Sequence, residues 1–181
     1  MFRSAKEIAY TGITVALLIG GQLAFSAVSG VEIVTAIFAL YCFVFGVFRG
    51  VVVATAFSLV RCLVFGFFPQ VILLYLIYYN LFAIVIGFLG IALKNKGGAT
   101  KIIILSFACI VLAGCFTAID NLFNIWIWLR ELPDVAKKIY IAQSIPVAIT
   151  QMVCAAITVP LCYYPLYKVF NVAKQTLKNN A

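Results

Sequence analysis

Leu59–Asn80 reads LVRCLVFGFFPQVILLYLIYYN, an apolar and aromatic run interrupted by a single charge at Arg61. The run is long enough to sit in lipid, so the fold must accommodate a guanidinium inside or beside a bilayer. Insertion scales put the cost of that group at the bilayer centre at roughly 2.5–3.5 kcal/mol, and it is therefore expected to face protein, water or a ligand. Aromatic residues accompany it at Phe57, Phe65, Phe67, Phe68, Tyr75, Tyr78 and Tyr79. Two readings of Arg61 stand side by side: a ligand contact, or a side chain that snorkels or pairs with an acid only to tie helices together.

The same greasiness extends over the whole chain. Of its 181 residues, 66% are hydrophobic and 10% charged, against the near-half apolar share of a soluble domain, and the mean hydropathy is +1.17. The apolar runs are continuous rather than alternating with period two, which excludes a transmembrane barrel and leaves an all-α integral membrane bundle. Helical spans of ~20 residues are needed to cross ~30 Å of hydrocarbon. The length therefore predicts a single domain of six spans, at about 8–28, 31–48, 51–66, 71–93, 102–119 and 141–163.

The first of these follows a short basic segment and has small residues near Ala24, Ser26 and Ala27. Its apolar core is longer than that of a signal peptide and more spans follow, so it reads as retained. Along it Gly12, Ala16, Gly20 and Ala24 recur every four residues, and Ala5 and Ala9 continue the spacing toward the start. Such a ridge lets another helix approach closely, either within this chain or from a separate membrane subunit. Ser29 and Glu32 have the spacing of a capping box, which competes with a ligand role for Glu32. The segment FRG, with Arg49, is read as a connection, and Pro69 suits the start of the fourth span. After Ile119, Asp120, Asn121, Asn124, Trp126, Trp128, Arg130 and Glu131 crowd in. A helix end or an interfacial segment is expected there, before Pro133 and Asp134 restart a helix. The last span is expected to be interrupted by Pro146 and Pro160.

Counting basic residues orients these spans. With the N-terminus inside, the inner segments carry Arg3, Lys6, Arg49, Lys94, Lys96, Lys101, Lys168, Lys174 and Lys178, and the outer ones only Arg130, Lys137 and Lys138. That bias puts both termini in the cytoplasm. It also accounts for the net charge of +8 without nucleic acid, which is not expected as a partner. Arg61, Glu32, Asp120, Glu131 and Asp134 then fall toward the outer side. The pattern implies a pocket open to the outside, with Glu32, Arg61, Gln70, Tyr75, Tyr79, Asn80, Asp120, Asn121, Asn124, Trp126 and Gln143 as candidate lining. An aromatic box with a few placed polar groups suits a small heterocyclic or amphipathic ligand, whereas the aromatics taken alone also fit lipid-facing belts.

No motif for catalysis is present. The chain has no histidine, no phosphate loop, no HExxH and no GxSxG. Its six cysteines, Cys42, Cys62, Cys109, Cys115, Cys154 and Cys162, all lie in apolar runs without a CxxC pair and read as small hydrophobes rather than a metal or disulfide framework. An enzyme, a cofactor and a metal site are therefore not expected. Nor does the chain carry the paired intramembrane acids of a self-driven proton-coupled carrier.

The segments GVEIVTAIFALYCFVFGVFRG (Gly30–Gly50) and FSLVRCLVFGFFPQVILLYLIYYNLFA (Phe57–Ala83), with the small-residue ridge of the first helix, resemble the S components of energy-coupling-factor (ECF) transporters. These are membrane-embedded substrate-binding subunits with about six spans and no nucleotide site. The resemblance covers essentially the whole chain. It implies capture of a vitamin or related micronutrient at the outer face, gated by the loop over Ser26–Glu32, and ATP-driven import at a prokaryotic-type plasma membrane. It further implies a T component and two ATPase subunits as partners, the former docking on an AxxxA-type face. Ala5 and Ala9 match that spacing; Gly12–Ala16 extends it with glycine in the first place, and Gly20 lies on the same ridge. The competing expectations are a self-sufficient small permease or channel and a non-transporting accessory membrane subunit.

Overall fold

In the computed structural model, residues 5–27, 33–127, 129–131 and 133–179 are described. Among them the chain forms six helices and no strand: α1 (Ala5–Ala24), α2 (Val34–Phe45), α3 (Val47–Phe65), α4 (Pro69–Ala92), α5 (Gly98–Ile127) and α6 (Asp134–Asn179). All but α2 are long and apolar enough to cross a membrane. This is the architecture of a multi-pass membrane protein.

α2 is the centre. At 12 residues it rises only ~18 Å, and every residue from Val34 to Val44 is buried. α4 and α6 supply most of its surroundings, with α1, α3 and α5 closing the rest. The connection to α3 is shorter than the FRG segment predicted, because Gly46 alone makes the corner with φ +86°. A glycine reaches that left-handed conformation without a Cβ clash. Arg49 consequently lies inside the first turns of α3 rather than in a loop. α4 begins at Pro69, as expected of a first-turn proline whose missing N–H has no intrahelical partner. It crosses the α2–α3 corner at two glycines. A Cβ at Gly87 would lie 2.7 Å from the Val47 nitrogen, and one at Gly90 would overlap the Phe43 carbonyl oxygen.

Of the two expectations for the stretch after Asp120, the helix end there does not occur. α5 runs on for 30 residues to Ile127, because its polar groups find partners without leaving the helix. Asn124 Nδ2 donates to the Asp120 carbonyl oxygen at 2.8 Å and to its carboxylate at 2.9 Å. Facing α6, Tyr140 OH donates to Asp120 Oδ2 at 3.4 Å, Asn121 Nδ2 to Ser144 Oγ at 2.8 Å, and Thr117 Oγ1 to Gln151 Oε1 at 3.0 Å. Such interhelical bonds average about 0.6 kcal/mol each in membrane bundles, enough together to fix register. α6 also continues through Pro146, Pro160 and Pro165. Each proline removes one backbone bond, a loss that membrane helices tolerate when side chains or neighbours re-satisfy the freed groups.

The start of α1 and the last turns of α6 lie at one end of the bundle. Glu7, near the start of α1, pairs with Arg49, and Lys174, near the end of α6, donates to the Val44 carbonyl at the same α2–α3 corner. The opposite end gathers the end of α1, the α3–α4 turn, the end of α5 and the start of α6.

Candidate functional site

Arg61 lies one helical turn from the end of α3, where α1 and α4 converge on it. Its Nε donates to Gln22 Oε1 on α1 at 3.1 Å, and Gln22 Nε2 donates in turn to Tyr75 OH on α4 at 3.1 Å. The guanidinium carbon stands 3.9 Å from the Tyr75 ring centroid and 5.0 Å from that of Phe65. A desolvated cation over a ring gains up to about 2 kcal/mol, and a hydrogen bond to a charged group about 1.5–3 kcal/mol. These interactions are comparable with the insertion cost of the charge.

Among the described residues no acid pairs with Arg61. Asp120 is instead engaged with Asn124 and Tyr140, and Glu32, with the capping box at Ser29, falls outside the described residues. Gln22 takes the acceptor role. A neutral amide accepts from Nε without neutralising the charge, and among the described residues no bond reaches the two terminal guanidinium nitrogens. The guanidinium is thus oriented but electrostatically uncompensated within that set.

Behind it stands an aromatic core. Tyr75, Tyr79 and Phe57 form one knot, with centroids 5.3 Å apart for the two tyrosines and 5.0 Å for Phe57–Tyr79. Tyr78 stacks edge-on against Phe116 at 4.8 Å and donates its hydroxyl to the Leu112 carbonyl at 3.0 Å. Phe38 and Phe82 close the cluster from α2 and α4. These rings face the protein interior; Phe67 and Phe68, in the α3–α4 turn, are exposed.

The other predicted lining residues separate into distinct places. Asn80 accepts from Thr55 Oγ1 at 3.3 Å and bonds its own helix through the Leu76 carbonyl. Gln70 is half-buried in the first turn of α4. Asp120, Asn121 and Asn124 belong to the α5–α6 seam, where Asn121 Oδ1 is buried without a hydrogen-bond partner among the described residues. Trp126 is 75% exposed and shares a cavity of about 300 Å³ with Ile125, Arg130 and Lys137. Gln143 is exposed on α6. The structure therefore brings Arg61, Tyr75 and Tyr79 together and keeps them apart from the α5–α6 group.

The small-residue ridge of α1 is exposed throughout: Ala5, Ala9, Gly12, Ala16 and Gly20 all face outward. A Cβ added at Gly12 or Gly20 would meet nothing within 4 Å. The ridge serves no packing among the described residues; the opposite face, with Glu7, Thr11, Thr14, Val15, Leu18 and Ile19, is the one that turns inward.

Two features escaped the sequence. Gln22 is a lone amide in an apolar helix, and its position one turn from Ser26 carries no motif. Glu7 looks like one more charge in a polar leader, yet it is buried and sits 2.5 Å from Arg49. Its only sequence signal is i, i+4 and i, i+7 spacing to Thr11 and Thr14, a polar stripe on an otherwise apolar helix.

Comparison with known proteins finds no matching family model, no matching curated protein and no matching solved structure.

Proposed function

We propose that the chain is a substrate-binding membrane subunit of the ECF S-component kind, taking up a small micronutrient that carries an anionic group. The observation that carries this reading is the Arg61 guanidinium: Nε fixed by Gln22, one face on Tyr75, and terminal nitrogens without a partner among the described residues. A fork so oriented suits a carboxylate, which it binds through two parallel hydrogen bonds. Phe65 beside it, and the exposed Phe67 and Phe68 of the α3–α4 turn, offer apolar surface to a ring system. In this reading the Arg61 end faces outward and the lysine-rich end faces the cytoplasm, in keeping with the basic bias of the loops. The outward-facing Ala5–Ala9–Gly12–Ala16–Gly20 ridge on α1 is the surface for a T component, which with two ATPase subunits supplies the energy for import. The chain itself is not an enzyme in this reading and requires no cofactor.

A second reading has its own observation. The interior aromatic rings contact one another, as they would in an accessory subunit that binds no small molecule.

Purified protein screened by thermal shift against carboxylated vitamins and nucleobases separates the two. Binding lost by at least tenfold in Arg61→Gln, with an unchanged unfolding midpoint for the free protein, supports the first reading. Absence of any ligand supports the second. Uptake by the chain alone in vesicles, without an ATPase module, would overturn the first in favour of a self-sufficient permease.

A further inference from the structure

At the end of the bundle opposite Arg61, two adjoining cavities of about 500 and 430 Å³ open between α2, α4, α5 and α6. Both fall within the ~300–1,000 Å³ range of small-ligand sites. Lys101, Tyr167 and Asn171 line both, so the two form one depression. Lys94 and Lys174 flank one half of it and Lys168 the other.

The charge of this depression is not compensated. The two ion pairs among the described residues are Arg49–Glu7 and Lys137–Asp134, and neither includes a lysine of the cavities. Glu7 is the one acid at this end among those residues, and Arg49 already occupies it. Four lysines therefore line the depression and, among the described residues, no acid does. Lys174 is held against the wall by its bond to the Val44 carbonyl. Asn171 donates to the Tyr167 carbonyl at 2.9 Å. Gly98, at the first turn of α5, lines the second half, and the opening amides of a helix have no intrahelical acceptor and attract anions.

We propose that this depression binds a phosphate group, carried by the headgroup of an anionic phospholipid. Its place favours that source over a free anion. The lysines stand at the ends of membrane-crossing helices, where headgroups lie, and basic pockets between such helices are suited to anionic headgroups. Tyr163, Tyr164 and Tyr167 line the same region, and tyrosine is a residue of the headgroup level. The proposal needs only that the chain spans a membrane and is independent of what binds at Arg61.

The test uses the full chain, delipidated in a neutral detergent and titrated with phosphatidylglycerol or phosphatidylcholine of equal acyl length, with adducts counted by native mass spectrometry. A further arm adds inorganic phosphate alone. Phosphatidylglycerol is expected to be retained at least tenfold more tightly than phosphatidylcholine. Lys94→Gln/Lys101→Gln should weaken it roughly thirtyfold, since each lysine at an anionic surface supplies about fivefold. Lys137→Gln/Lys138→Gln, at the other end, should leave it unchanged. Should the first variant fail to fold by circular dichroism, Lys168→Gln, exposed on α6, reads the same depression with about a fivefold loss. Inorganic phosphate bound as tightly as the lipid would keep the site and reassign its source to a soluble anion. Equal retention of both lipids without phosphate binding, or equal losses in the variants at the two ends, would overturn the proposal.

Discussion

The Glu7–Arg49 pair offers a sharp check on how α1 is held against the rest of the bundle. The Glu7 side chain is 5% exposed and the Arg49 side chain 27%, with 2.5 Å between Oε1 and Nη2. At close range and an effective dielectric of ~20 the Coulomb term is ~4 kcal/mol. Desolvating Glu7 takes back part of this, and the solvent reaching Arg49 screens more, so a net coupling of about 2 kcal/mol is expected, inside the ~0.5–3 kcal/mol span of contacting pairs. The single changes should differ. Arg49→Met strands a buried carboxylate and should cost about 3–5 kcal/mol. Glu7→Gln leaves a half-open guanidinium that still lies 5.6 Å from the Phe45 ring and should cost about 2 kcal/mol, near the lower part of the range for a charged hydrogen bond. The double variant should then be about 2 kcal/mol more stable than the sum of the two losses. Reversible unfolding of the protein in mixed micelles, followed by circular dichroism across the four proteins of the cycle, measures this directly. Single costs that add within ~0.5 kcal/mol would refute the coupling and leave α1 held by its apolar contacts and the Gln22 bonds to Arg61 and Tyr75.

Gly87→Ala should destabilise the protein by about 1–3 kcal/mol, the usual cost of overpacking, because the new Cβ would lie 2.7 Å from backbone at Val47; an unchanged unfolding midpoint would disprove the tight α4 crossing. Gly12→Leu, by contrast, meets open space and should leave stability within ~0.5 kcal/mol of the parent or raise it, as replacing a mid-helix glycine does. A large loss there, read from the same unfolding curves, would mean that the ridge packs inside this chain after all.

The helical membrane architecture was legible in the sequence because apolar runs of span length admit few other solutions. The start of α4 was equally legible, since Pro69 is a local signal. The course of α5 was not. Asp120 and Asn124 read as a departure from lipid, but their i, i+4 bond and the hydroxyl of Tyr140 on α6 let the helix continue. Nothing local announces a partner twenty positions away. Arg61 shows the same limit. Its charge stood out at once, yet its acceptor is an amide on another helix rather than an acid, and choosing between them requires knowing which helices touch. The basic loops were read as topology signals alone. Only the folding of α4, α5 and α6 against one another turns Lys94, Lys101, Lys168 and Lys174 into the lining of one depression.

The brevity of α2 bears on how such a chain is made. A helix of 12 residues is too short to bridge ~30 Å of hydrocarbon on its own, so it has no independent stable station in the bilayer. Its single-residue corner at Gly46 ties it to α3, and the two must enter as a hairpin. Yet its principal neighbours, α4 and α6, leave the ribosome later. α2, made before either of them, is therefore among the last helices to reach its final surroundings, and a nascent chain halted before α6 would hold its future centre against lipid or the insertion machinery.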